Sequence, residues 1–158
     1  MYNLRRIHPT VLVLLGLLLL SVPVMAEMAF ETTITAAQAV PITDSGGYGT
    51  ATIILSDDGS VAAYTVIFAG LESTQTAAHF HNAAVGETGP VVFDLGLGSP
   101  LSGFWYPTVE EAAELTAGRI YVNIHSELYP AGEIRGNFHL TQVPTETTSW
   151  GEIKLLYR

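Results

Sequence analysis

From Phe30 to Leu140 the chain is a succession of short runs rich in Thr, Val, Ile, Tyr and Phe, cut apart by clusters of Gly, Pro, Asp and Asn. β-Branched and aromatic residues at this spacing suit pleated, half-buried strands, so the pattern suggests an all-β sandwich or barrel. Strands are predicted at Phe30 to Thr35, Gly49 to Leu55, Ser60 to Phe68, Thr76 to His81, Pro90 to Leu95, Gly103 to Tyr106, Arg119 to His125 and Glu133 to Leu140. In the second, Ala51, Ile53 and Leu55 alternate with Thr50, Thr52 and Ile54; in the third, Tyr64, Val66 and Phe68 share a face. Ser56-Asp57-Asp58-Gly59 between them carries turn chemistry and predicts a hairpin.

One stretch departs from the β pattern. Thr108-Val109-Glu110-Glu111 is a capping box with Glu111 at the third helical position; Ala112, Ala113, Glu114 and Leu115 follow, and Gly118 provides the stop. One short helix is expected there, with its acids serving the positive end of the helix.

Residues 1–26 have a layout of their own. Arg5 and Arg6 precede an apolar run from Val11 to Leu20, and Val24-Met25-Ala26 supplies the small-residue pattern of a cleavage site. This predicts a secretory signal peptide cleaved after Ala26, because the run is shorter than the ~20 residues of a spanning helix and ends near Pro23. Four cations then remain (Arg119, Arg135, Lys154 and Arg158) against 15 acids, a net charge of −11. Such a charge argues against nucleic acid, which is bound by clustered Lys and Arg. Cysteine is absent, which removes disulfides, thiolate metal sites and cysteine nucleophiles. An exported domain of ~130 residues without disulfides must be held by its packed core.

The domain is placed at 27–140. Residues 141–149 are linker-like in composition, and the tail 150–158, Trp150 to Arg158, is a candidate contact for a protein or cell-surface partner. No internal repeat, Ser-centred elbow or phosphate-cradling glycine loop is evident; Gly46-Gly47, Leu95 to Gly98 and Gly86 to Pro90 read as turns.

Chemistry concentrates in four histidines. His79 and His81 form a His-x-His in a predicted strand, so both rings leave the same face and Phe80 leaves the other. Imidazole suits copper, zinc, iron and nickel, and two such ligands need a third from elsewhere. His125, on the face shared by Tyr121 and Asn123, and His139, on the face shared by Arg135 and Asn137, are the candidates. Arg135 is read either as the ion-pair partner of a carboxylate such as Glu133 or Glu127, or as a guide for anions.

An ordered set of blocks carries a resemblance. Thr35 to Pro41, Gly49-Thr50-Ala51-Thr52, Ala77 to His81, Gly89-Pro90-Val91-Val92, Gly118 to His125 and Pro130 to Gly136 together resemble the CHRD domain, named for chordin and widespread in exported microbial proteins. The resemblance spans about residues 30 to 140 and implies a β-sandwich used outside the cytoplasm; His139 departs from its usual pattern. A more distant similarity is to the copper site of Cu/Zn superoxide dismutases. It implies His79, His81 and His125 as copper ligands and Arg135 as the cation that guides an anion, although the zinc-binding insertion and the disulfide cysteines are missing.

These readings converge on a single secreted or periplasmic Greek-key-like β-sandwich with one short helix and no membrane anchor after cleavage. Its expected role is that of a binding domain with copper, or alternatively zinc, on His79, His81 and His125. His139 is the candidate fourth ligand, with Asn123 and Arg135 behind the ligands. Two alternatives stand beside it, a metal-independent structural or adhesive domain and a copper-dependent, dismutase-like redox protein.

Overall fold

The computed structural model describes residues 27–141. The signal peptide, the tail and all but the first residue of the linker expected from the sequence lie outside the described residues.

Alternation of buried and exposed residues shapes the first half of the domain. β1 (Met28–Thr35), β2 (Tyr48–Leu55) and β3 (Ala62–Ala69) pair antiparallel in sequence order, with Ala51, Ile53 and Leu55 turned inward as the pattern predicts. The β2–β3 connection is the expected hairpin: the Ser56 and Gly59 amides donate to the Val61 and Ser56 carbonyls, and Gly59 takes the φ of 71° that the turn requires. Asp58 accepts from the hydroxyls of Ser56 and Ser60 and from the Ser60 amide, which holds its carboxyl at about 2, well below the ordinary carboxylate range.

The remaining strands are β4 (Gln75–Asn82), β5 (Val91–Asp94), β6 (Leu101–Trp105), β7 (Ile120–Ser126), β8 (Ile134–Asn137) and β9 (His139–Thr141). They join the first three in one hydrogen-bonded ladder in the order β5-β4-β7-β8-β1-β2-β3-β6, with β9 pairing β1. The ladder folds over until its two ends meet across the core. Tyr64 of β3 packs edge-on against Phe80 of β4 at 5.5 Å, and Phe93 of β5 lies 6.2 Å from Trp105 of β6. Two facing layers thus share one apolar interior, and the β3–β4, β5–β6 and β6–β7 connections cross between them in Greek-key manner.

The helix α1 (Val109–Thr116) bears the complete capping box, with Thr108 and Glu111 each satisfying the other's backbone amide, and Gly118 at φ 73° follows its end. It buries Leu115 against the core. A turn of 3-10 helix at Ala36–Gln38, which the sequence reading did not anticipate, carries the chain out of β1. The single strand expected over Glu133 to Leu140 is divided. β8 and β9 keep one register against β1, as Thr35 faces Arg135 and Glu31 faces His139, but the Phe138 amide between them turns back to the Ile120 carbonyl of β7.

The outer surface of the β4-β7-β8 layer is covered as well. Segments 83–90 and 127–133 lie over it, and beneath them Tyr121, Asn123 and Arg135 are buried although their rings and polar groups face away from the apolar core. This second, polar interior positions the site.

Candidate metal centre

The ladder register sets the arrangement. His79 faces Asn123, His81 faces Tyr121 and Ala77 faces His125 across β4 and β7, while Asn123 faces Arg135 across β7 and β8. Residues directly opposite in an antiparallel pair share a face. All of these side chains therefore project from the outer surface of one layer, and the period of two brings His79 and His81 there together. The result is a triad in which one ring nitrogen from each of His79, His81 and His125 lies within 4.8 Å of the others.

Two backbone carbonyls fix which nitrogens are available. His81 Nδ1 lies 3.0 Å from the Gly89 carbonyl, and His125 Nδ1 lies 3.0 Å from the Pro130 carbonyl. A carbonyl only accepts, so each Nδ1 is the protonated nitrogen and each Nε2 carries a bare lone pair. The Nε2 of His81 is buried and has no hydrogen-bond partner. That of His125 meets His79 Nδ1 at 3.3 Å, and because it has no proton to give, the His79 Nδ1–H is the donor.

Burial favours the neutral form of His81 and His125. It holds His81 below the ordinary histidine value against the opposing pull of the Gly89 carbonyl, and His125, His79 and the Arg135 guanidinium add to the depression. Burial likewise lowers His125, opposed by the Pro130 carbonyl and reinforced by His79. Neutral imidazole is the ligating form.

Behind the triad lies a stacked column. The rings of His81 and Tyr121 are 9° from parallel with centroids 5.0 Å apart, and the Arg135 guanidinium carbon lies 3.5 Å from the centroid of Tyr121. Tyr121 Oη accepts from the Gly89 amide, and Arg135 donates to the carbonyls of Glu87 and Ala84 and to Asn137 Oδ1. Segment 83–90, which supplies the His81 lock, is thereby tied to β7 and β8. Asn123 performs the same service for the other lock, since its Nδ2 donates to the Ala131 carbonyl next to Pro130.

The donor set fits a metal ion. Tetrahedral ligands at bond lengths of about 2.0–2.1 Å stand about 3.3 Å apart, which is the separation of His79 Nδ1 and His125 Nε2. The buried lone pair on His81 Nε2, which no hydrogen bond occupies, is a donor that could ligate a cation.

Two sequence expectations meet a different arrangement. His139 is not among the grouped ligands; it stands exposed on β9, 3.9 Å from the Glu31 carboxylate. The expected ion pair of Arg135 is overturned as well, because among the described residues neither Glu133 nor Glu127 lies within ion-pair distance of it. Glu133 is instead fully buried, with Oε1 accepting from the Ser45 hydroxyl and the Glu72 amide at 2.6 and 2.7 Å. Arg135 is 1% exposed and satisfied by carbonyls and an aromatic face, and burial pulls its guanidinium below the ordinary value. Tyr121, Gly89 and Pro130 were not singled out for a role in the sequence, although Tyr121 had been placed on the face of Asn123 and His125.

No curated protein and no solved structure matches the chain. The family model of the CHRD domain matches residues 30–138, which covers the ladder from Phe30 in β1 through β8 and every residue of the triad. The chain belongs to the CHRD domain family.

Proposed function

We propose that this domain is an exported metal-binding module that holds one copper ion, or alternatively zinc, on His79 Nδ1, His81 Nε2 and His125 Nε2. The observation that carries the reading is the His81 Nε2, a lone pair fixed by its tautomer, buried and without a partner, beside two further nitrogens. CHRD is a domain of exported proteins, which supports a role outside the cytoplasm. Three imidazoles without thiolates suit copper(II) and zinc(II), and divalent affinities at nitrogen sites peak at copper. A bound ion would act here as a charged centre whose ligands the fold has already oriented. This chain's own contribution is to keep the His81 and His125 rings neutral, to aim all three rings and to exclude water from His81.

Titration of the domain with copper(II) and with zinc(II) tests this. One equivalent is expected to bind, more tightly for copper, and His79→Ala combined with His81→Ala is expected to abolish it. Unchanged stoichiometric binding in the double variant removes the site. The role proposed is binding, so a copper-loaded domain that consumes superoxide faster than free copper would replace this reading with a redox one.

A further inference from the structure

We propose that Asp94 is the carboxylate that takes up the His79 ring proton's hydrogen bond when the centre is filled, a role that rests on the metal-binding reading above. His79 differs from its two companions. The non-ligating nitrogens of His81 and His125 are already held by the carbonyls of Gly89 and Pro130. In His79 it is Nδ1, the nitrogen that faces the other ligands, that carries the proton, as the donor to His125 Nε2. A neutral ring has one N–H, so its Nε2 is bare.

Ligation inverts this arrangement. For His79 Nδ1 to offer its lone pair, the Nδ1–H bond must break. The ring stays neutral when an Nε2–H bond forms in its place, with the proton exchanged through solvent and no net change in ring charge or oxidation state. The new Nε2–H then requires an acceptor.

Asp94 is placed to provide it. It lies directly opposite His79 across β4 and β5, so the two side chains share a face with Cβ atoms about 4.5–5.5 Å apart. Both line a small cavity of about 130 Å³ together with Thr76, Gly96 and Leu97. Asp94 Oδ1 accepts from the Gly96 amide at 2.8 Å, which steadies the carboxylate, and no hydrogen bond from a described residue occupies Oδ2. Without metal no nitrogen of His79 lies within 4.0 Å of the Asp94 carboxylate, so the two line the cavity without touching, and a turn of the exposed Asp94 side chain toward the ring closes the gap once Nε2 carries a proton. The tautomer change converts the pair into donor and acceptor, and Asp94 thereby acts as a positioning residue that favours the ligating form of His79.

Zinc(II), which is diamagnetic, allows a direct test on the 15N-labelled protein. Long-range proton–nitrogen spectra are expected to show the His79 proton on Nδ1 before zinc and on Nε2 after it. Asp94→Ala is expected to weaken zinc binding 10- to 100-fold, the loss typical of removing such a partner. Asp94→Asn, which keeps an acceptor but not the charge, should fall between. Because Asp94 is exposed, the unfolding midpoint of the metal-free protein should not move. Wild-type affinity in Asp94→Ala, or a His79 proton that stays on Nδ1 in the zinc-loaded protein, overturns the role of Asp94 while the metal site stands. Failure of the unmodified protein to bind zinc and copper removes both.

Discussion

His81 and Tyr121 stack face to face across the β4–β7 ladder, their ring planes only 9° apart. This one contact links the histidine triad to the buried guanidinium of Arg135, which lies over the same tyrosine. The site and the support beneath it are therefore a single packed unit, and perturbations of one should register in the other.

Arg135→Met keeps much of the side chain's bulk but removes every donor. The Glu87 and Ala84 carbonyls would lose a charged donor, a change worth about 1.5–3 kcal/mol for such a hydrogen bond. Arg135→Lys should recover only part of this, since an ammonium neither stacks on Tyr121 nor reaches several acceptors in a plane. Urea denaturation of the three metal-free proteins is expected to rank them wild type, Lys, Met.

Stability should rise with pH through the histidine range. His81 and His125 have folded-state values below the ordinary 6.5, so between the folded and unfolded values the unfolded chain binds more protons. Their neutral forms cost nothing above about 6.5. The penalty sets in as pH falls below it and grows down to the depressed folded values. Urea midpoints at pH 7.5 and pH 5 are expected to show the lower stability at pH 5, and replacing both histidines with Gln should flatten that part of the profile.

His139→Ala is expected to leave copper and zinc affinities at wild-type values, because His139 sits with Glu31 on the surface and outside the triad. His125→Ala in the same titration should weaken both metals by at least tenfold. Equal losses from the two variants would show that the described triad is not the ligand set.

Gly132→Ala probes the support of the His125 lock. Gly132 has a φ of 123°, and a Cβ there would run into the Asn123 carboxamide that pins the Ala131 carbonyl. The expected cost is about 1–3 kcal/mol from backbone strain alone. Metal affinity should fall alongside stability, since Pro130 moves with its neighbour. Isothermal titration and urea melts on the same preparation check both effects.

Much of this architecture follows from local pattern. Alternation placed Ile53 and Leu55 inward and the two His-x-His rings on one face, and the Thr108–Glu111 box announced the helix. The cover of the outer face was not legible in this way. Gly89 and Pro130 are ordinary turn residues in the sequence, and their carbonyls gain meaning only when tertiary folding lays their segments over β7. Arg135, one of four cations in a strongly acidic chain, suggests a carboxylate partner in the sequence, whereas here carbonyls and the Tyr121 face suffice. His139 has the same strand parity as Arg135, yet it lies in β9, beyond the end of β7 at Ile120, so its row continues only into β1.

The two carbonyl locks have one more consequence. Both are donated by segments that reach their histidines only in the finished fold, Gly89 across from His81 and Pro130 beyond the end of β7. An unfolded chain thus carries scattered imidazoles whose protons are free to sit on either nitrogen, and it has no affinity to match the assembled triad. On the metal-binding reading proposed above, metal choice is deferred until folding is complete, so the surroundings in which the domain folds would decide which ion it meets first.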